Sequence, residues 1–278
     1  MRDTLQRIAE RSCDWVMEHV CSTSLRSTLG GGLNGNLNGR LNAGGRQPPQ
    51  IIAHRGAWDH GPARENTLAA FARAAALGVW AIELDVRFTR DNVPVVLHDP
   101  GLYRLFRISR LIAELTCSEL ALAAPLVPRL QEVLDLAPLH FMIEIKTALS
   151  REQVAILRDV LGRREAVRDF HFLVLDENLI RPEFPAAAWV LVGDLRLKSL
   201  VDVALTRGLG GVAGHYLSMT KRQIARLHAA GQKAGSGFVA STPVFEREWS
   251  RGVDWVFTND SAVLRPPPGR QQPSTRKS

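Results

Sequence analysis

Four short apolar runs in this chain each end in residues able to do chemistry. Ile51-Ile52-Ala53 leads into His54-Arg55, and Trp80-Ala81-Ile82 into Glu83-Leu84-Asp85. Val95-Val96-Leu97 leads into His98-Asp99, and Phe141-Met142-Ile143 into Glu144-Ile145-Lys146. Burying a charge is costly unless it is paired or bound to a metal. Four such ends point to strand tips that converge on a polar site. Two imidazoles, three carboxylates, an arginine and a lysine suit metal-assisted work on a phosphate.

In Glu83-x-Asp85 the alternation of a strand puts both carboxylates on one side, and Glu144-x-Lys146 repeats the pattern. Three carboxylates without a thiolate favour a hard cation, Mg²⁺ or Ca²⁺. Plain ion pairing is the alternative, Glu83 with Arg87 or Glu144 with Lys146. His54 and His98 are candidates for general base and general acid, because imidazole titrates near neutrality. Arg55 can grip a phosphate through paired hydrogen bonds and Lys146 as a point charge. Asp99 either orients His98 or caps its loop, and the loop role is preferred. His140, His171, His215 and His228 read as structural, although His215 follows a strand and can reach a strand-end site.

The elements that must position these groups alternate between strand and helix over residues 50–264. Strands are expected at Ile51–His54, Trp80–Val86, Phe141–Ile145, Phe172–Leu175, Trp189–Val192, Gly211–Ala213, Lys233–Val239 and Val253–Phe257. Helices are expected at Thr67–Leu77, with Asn66 as its cap and Gly78 as its stop, and at Leu130–Leu136. Further helices fall at Arg151–Leu161, Ser199–Arg207, Lys221–Ala230 and around Phe245–Ser250. Such alternation calls for a parallel sheet, and about eight units in this length predict a (β/α)8 TIM-type barrel. An open doubly wound sheet is the rival, but no Gly-x-Gly-x-x-Gly turn follows the first strand. Val93–Leu97 is separated from the second strand by only Thr89-Arg90-Asp91-Asn92. That is too short for a parallel crossover, so His98 is expected on a short hairpin at the barrel mouth.

The rest of the chain supplies context. With 278 residues and 45% hydrophobic content, a substantial core is available. The net charge of +7 is concentrated at the ends: residues 1–50 hold six basic and four acidic residues, and residues 265–278 hold Arg265, Arg270, Arg276 and Lys277 without an acid. The middle keeps about +1, which is no nucleic-acid footprint. Residues 1–21 are expected to form an amphipathic helix, residues 22–49 a flexible Gly/Asn-rich linker, and 265–278 a disordered basic Pro-rich tail. The helix can dock on a partner, make a weak peripheral contact with a membrane surface or fold back on its own domain, and self-docking or simple disorder is the preferred reading. Cys13, Cys21 and Cys117 form neither a disulfide framework nor a zinc pattern. With no signal-like apolar run and no transmembrane stretch, a soluble cytoplasmic protein is the expectation.

The ordered series of motifs resembles the glycerophosphodiester phosphodiesterase family. The matching text is His54-Arg55-Gly56, Glu65-Asn66-Thr67-Leu68-Ala69-Ala70-Phe71, Glu83-Leu84-Asp85-Val86, Val95-Val96-Leu97-His98-Asp99 and Ile143-Glu144-Ile145-Lys146. Leu115-Thr116-x-x-Glu119-Leu120, Val127–Leu134 and Gly252–Asp260 also fall where the family has similar segments. The resemblance implies a barrel with a divalent cation held by Glu83, Asp85 and Glu144. It assigns acid–base work to His54 and His98, phosphate contact to Arg55 and Lys146, and support by hydrogen bonding to Glu65. For Glu65 a helix-start role is the alternative. The implied reaction cleaves a phosphodiester next to a free hydroxyl, releasing an alcohol and leaving a glycerol phosphate: glycerol 3-phosphate from a small glycerophosphodiester, its acylated form from a lysolipid.

This sequence departs from the family pattern in places. Arg64 stands where proline is usual, Lys233–Val239 lacks the Trp-Thr-Val-Asn text, and no Ser-Phe pair lies near Leu175. The chemical centre is therefore expected intact and the pocket wall altered. Two other readings are a lysophospholipase D or sphingomyelinase-D-like lipid phosphodiesterase and a non-catalytic barrel that binds a phosphorylated ligand. The presence of both histidines and all three carboxylates argues against the last.

Overall fold

The structure is a computed structural model that describes residues 47–58, 64–136, 138–193, 197–262 and 264. The expected N-terminal helix, nearly all of the linker, and the tail lie outside the described residues.

Eight parallel strands close on themselves. They are β1 (Gln50–Ala53), β2 (Ala81–Phe88), β4 (His140–Ile145), β5 (Phe170–Val174), β6 (Trp189–Gly193), β7 (Gly211–His215), β8 (Lys233–Gly237) and β9 (Trp255–Thr258). Closure comes from β1, which pairs in parallel with both β2 and β9. Helices α1 (Leu68–Ala76), α4 (Leu130–Leu134), α5 (Arg151–Leu161), α6 (Leu197–Arg207), α7 (Lys221–Ala229) and α8 (Thr242–Arg251) connect successive barrel strands. The fold is the TIM-type barrel that the alternation predicts.

The strand period explains how one surface serves both core and site. Ile52, Ala81, Met142, Leu173, Val190, Ala213, Trp255 and Phe257 form the apolar layer inside the barrel. On β2, Glu83 and Asp85 follow Ala81 at intervals of two, and on β4 Glu144 follows Met142. They therefore continue the same inward face toward the strand ends. Register sets Asp85 opposite Glu144.

The predicted hairpin is present. β3 (Pro94–Val96) runs antiparallel to β2, with Val86 paired to Val96. The turn is closed by Thr89 N–H donating to Val93 O at 3.1 Å, with Asn92 left-handed at φ 59°. Between β3 and α4 lies an insert with α2 (Tyr103–Phe106) and α3 (Cys117–Ala123). Leu97, Leu102, Ile112, Leu115, Leu120 and Ala124 give it a small core of its own.

One expected cap is displaced. Thr67, not Asn66, caps α1, its hydroxyl accepting from Ala70 N–H at 3.3 Å. Asn66 sits at φ 57°, a left-handed conformation that asparagine tolerates, and its side chain turns toward the barrel mouth.

Candidate active site

The turn after β1 organises the mouth. Arg55 holds φ 57°, unusual for a bulky residue, and its N–H donates to Glu83 Oε2 at 2.9 Å. Gly56 follows at φ +84°, where a Cβ would lie 2.8 Å from Ala70 Cβ. Glycine thus lets this turn press against α1, which fixes His54 and Arg55 over the acids of β2.

Glu83, Asp85 and Glu144 are buried and offer ligand oxygens within 4.8 Å of one another. Positive charge surrounds them. Lys146 Nζ lies 2.6 Å from Glu144 Oε1 and 2.9 Å from Asp85 Oδ1, and Arg55 Nε is 3.4 Å from Asp85 Oδ2. Asn66 Nδ2 donates to Asp85 Oδ2 at 2.6 Å. Burial would raise the Asp85 carboxyl, but Lys146 and Arg55 hold it well below the usual range. Burial likewise opposes the charge of Lys146, and Asp85 and Glu144 overcome it to push the ammonium upward. Glu83 goes the other way: burial, then Asp85 and Glu144, push its carboxyl well above the usual range. Its Oε1 is buried without a hydrogen-bond partner. Of the two pairings the sequence offered, Glu144–Lys146 forms, and Arg87 Nε donates to His98 O at 2.7 Å.

The histidines are held differently. His54 Nδ1–H donates to Asn259 Oδ1 at 2.6 Å, which leaves Nε2 as the lone-pair nitrogen, 3.9 Å from Glu83 Oε2. Burial, with Arg55 adding to it, lowers His54 to about 3, so the ring is neutral near pH 7. His98 Nδ1–H donates to Asp99 Oδ1 at 2.8 Å. Of the two roles weighed for Asp99, orienting the ring is the one whose hydrogen bond is present. Arg104 Nε donates to Asp99 Oδ2 at 2.6 Å, and the same guanidinium also donates to Glu65. Glu65 in turn accepts from Arg55 at 3.3 Å. Burial would raise Glu65 and Asp99, but Arg55 and Arg104 keep Glu65 low, and His98 and Arg104 keep Asp99 well below its ordinary range.

A cavity opens beside the acids, lined by His54, Glu83, Glu144, Phe238 and Asn259 among others. His98 does not line it. It stands beside Asp85, whose backbone oxygen accepts from Leu97 N–H at 3.0 Å.

Against known proteins, residues 54–206 match the model of the glycerophosphoryl diester phosphodiesterase family, more than half of the chain. The chain belongs to this family. It is accordingly a phosphoric diester hydrolase. A glycerophosphodiester phosphodiesterase of Caldanaerobacter subterraneus subsp. tengcongensis is 37% identical over 238 residues, covering 77% of this chain and 95% of the relative. One of Bacillus altitudinis is 30% identical over 246 residues, covering 77% and 96%. An Oleispira antarctica phosphodiesterase, solved with its product sn-glycerol-3-phosphate, superimposes with a TM-score of 0.65. It covers 78% of this chain and 95% of its own at 22% identity, so it speaks to the fold.

Within this phosphodiesterase family site, the wall opposite the acids is apolar and small. Leu173, Val192, Ala213, Phe238 and Phe257 line it with Gly193, Gly214 and Gly237. His215, read as structural but within reach of the mouth, lines it too. Phe238 takes φ 61° and sets its ring edge on to His54, with centroids 5.8 Å apart. A bulky residue in that region is strained, and such strain gathers at functional sites.

Asn66, Arg104, Asn259 and Phe238 join the site without being among its candidates in the sequence. Asn66 and Asn259 were both within quoted motifs, Asn259 directly after β9. Arg104 carries no local signal, because its partners come from other segments, whereas Phe238 lies in Lys233–Val239, the stretch whose text marks an altered pocket wall.

Proposed function

We propose that this enzyme hydrolyses glycerophosphodiesters to an alcohol and glycerol 3-phosphate, using His54 and His98 with a divalent cation, Mg²⁺ or Ca²⁺. The observation that carries the reading is the neutral His54, its Nε2 free and directed toward a buried acid triad. The triad fits a hard cation: all its donors are oxygens, Glu83 Oε1 has no partner, and repulsion disfavours three charges together. Glu83, Asp85 and Glu144 would hold the ion. When bound, it supplies neutralisation of phosphoryl charge and acidity to a nearby hydroxyl.

The protein's own residues do the proton work. His54 Nε2 takes the proton from the substrate's glycerol hydroxyl, whose oxygen then forms a bond to phosphorus. The bond from phosphorus to the alcohol breaks, and His98, its ring fixed through Nδ1 by Asp99, gives its proton to the leaving oxygen. Water opens the resulting cyclic phosphate with the proton transfers reversed, which yields glycerol 3-phosphate. Arg55 and Lys146 hold the phosphate's negative charge, and Glu65 braces Arg55. Because nucleophile and phosphorus belong to one molecule, orientation supplies much of the rate. The named product in the Oleispira antarctica phosphodiesterase supports this class of substrate.

The apolar wall favours a second substrate class, lysolipids, whose acyl chain, carried on the retained glycerol phosphate, would lie on Leu173, Val192 and Phe257. The catalytic domain in this reading is residues 50–264. Among the described residues no helix is long and apolar enough to cross a membrane, and Cys117 is a free thiol. We place the enzyme in the cytoplasm on the three-cysteine pattern.

The test is release of glycerol 3-phosphate from soluble glycerophosphodiesters, and of the head-group alcohol and acylated glycerol phosphate from lysolipids, with Mg²⁺, Ca²⁺ or chelator. Metal-dependent release lost in His54→Ala and His98→Ala is expected. Full activity in either variant would remove that histidine from the chemistry, and full activity in chelator would remove the metal.

A further inference from the structure

The insert between β3 and α4 carries a surface that the hydrolytic chemistry does not use. Gly101 and Leu111 form an antiparallel bridge, Leu102 N–H donates to Arg110 O at 3.0 Å, and Ile112 N–H donates to Pro100 O at 3.0 Å. These pairings close residues 101–111 into a loop. Its inner side is fixed: Leu102 is fully buried, and Arg104 reaches back to Asp99 and Glu65.

The outer side is apolar and cationic. Tyr103 is 61% and Leu111 48% exposed, while Leu105, Phe106 and Ile108 are half-buried. Arg64, from the β1–α1 loop, lies over the Phe106 ring at 5.5 Å and donates to Leu105 O. Arg107 lies over Tyr103 at 5.6 Å. From Pro100 to Ala113 there are three arginines and no acid. Arg107 has no carboxylate partner among the described residues. Arg110 pairs with Glu114 at 3.9 Å, both half-exposed, and acts on exposed Glu119 at longer range, interactions that contribute little in solvent. Of the eight large exposed hydrophobic side chains described, Tyr103, Leu111, Leu122 and Leu126 all belong to this one insert. Such concentration marks an interaction surface.

We propose that the loop 101–111 docks on the surface of an anionic phospholipid bilayer. Arginines interleaved with aromatic and aliphatic side chains match a layer of phosphates over hydrocarbon. The cations meet the headgroups while Tyr103, Leu111 and their neighbours enter the boundary beneath. Contacts with Arg64 and Glu65 place this loop at the rim of the barrel mouth, so docking turns the mouth toward lipid. That a docked mouth draws a lipid-borne substrate rests on the proposed function; the docking itself does not.

The experiment is co-sedimentation of the full chain with vesicles of phosphatidylcholine alone or mixed with phosphatidylglycerol. Binding to the mixed vesicles is expected. It should weaken about tenfold or more in Arg107→Glu/Arg110→Glu and also in Tyr103→Ser/Leu111→Ser. Leu111→Trp gives an independent reading: its added emission should shift to the blue on mixed vesicles and be quenched by brominated acyl chains. Absence of vesicle binding, binding unchanged in both double variants, or an unshifted Leu111→Trp signal would each overturn the proposal. Unchanged binding would assign any attraction to the basic ends of the chain. Thermal unfolding of each variant and its turnover of a soluble diester should match the parent. If no form turns over that diester, the hydrolytic reading fails while the binding result stands.

Discussion

His54 Nδ1 and Asn259 Oδ1 lie 2.6 Å apart although 205 residues separate them. The first and last barrel strands are neighbours only because the barrel closes, and that closure selects the tautomer of the proposed base. Asn259→Ala should lower kcat about tenfold while the fold survives, since the ring loses its orienting partner. Asn259→Asp places a negative charge on Nδ1, which raises His54 and moves the acid limb of the pH–rate profile upward. A profile and kcat unchanged in both variants would show that Asn259 does not orient the base.

Arg104 is expected to act through His98. Its guanidinium joins Asp99 to Glu65, and so ties the hairpin bearing His98 to the loop that supports Arg55. Arg104→Met should reduce kcat about 10–100-fold with little change in KM, and Arg104→Lys should restore part of it. Equal losses in KM, with no rescue by lysine, would point to general disruption of the mouth.

The buried Glu83 carboxylate is held at a cost to stability. Its folded carboxyl is raised above its unfolded value, so the associated stability is present below the unfolded pKa and lost as pH rises through the folded one. At pH 7.5 in chelator, Glu83→Gln should therefore raise Tm, by about 2–4 °C for each kcal/mol relieved. The same variant should lose the Tm increase that Mg²⁺ or Ca²⁺ gives the parent. Thermal unfolding with and without metal decides both points.

A buried histidine pair predicts acid sensitivity. His140 Nδ1–H donates to Arg168 O at 3.0 Å, so its Nε2 accepts from His171 Nδ1–H at 2.8 Å. Burial lowers His140 to about 4, and burial together with His140 lowers His171 to about 3. Both folded values lie below the unfolded 6.5, so stability holds above pH 6.5 and falls as pH drops toward 4 and 3. At about 1.4 kcal/mol per unit, each ring costs about 2 kcal/mol by pH 5. His171→Phe should flatten the decline of Tm between pH 7 and 5, whatever its effect at neutral pH. An unchanged slope would place the acid sensitivity elsewhere.

The sequence by itself determined the barrel, the hairpin and the acid cluster. Each is local: helix and strand periods alternate, four residues are too few for a crossover, and a spacing of two puts Glu83 and Asp85 on one face. What only the tertiary structure decided is which groups meet across the mouth. Asn66 reads as a helix cap because its preference for helix starts is local, while its partner Asp85 is on another element. Phe238 and Asn259 reach His54 through the closing strands, and Arg104 finds Asp99 and Glu65 from an insert with its own small core. Hydrogen bonds and ring contacts between distant segments depend on closure and register, and neither is written in the spacing of residues along the chain.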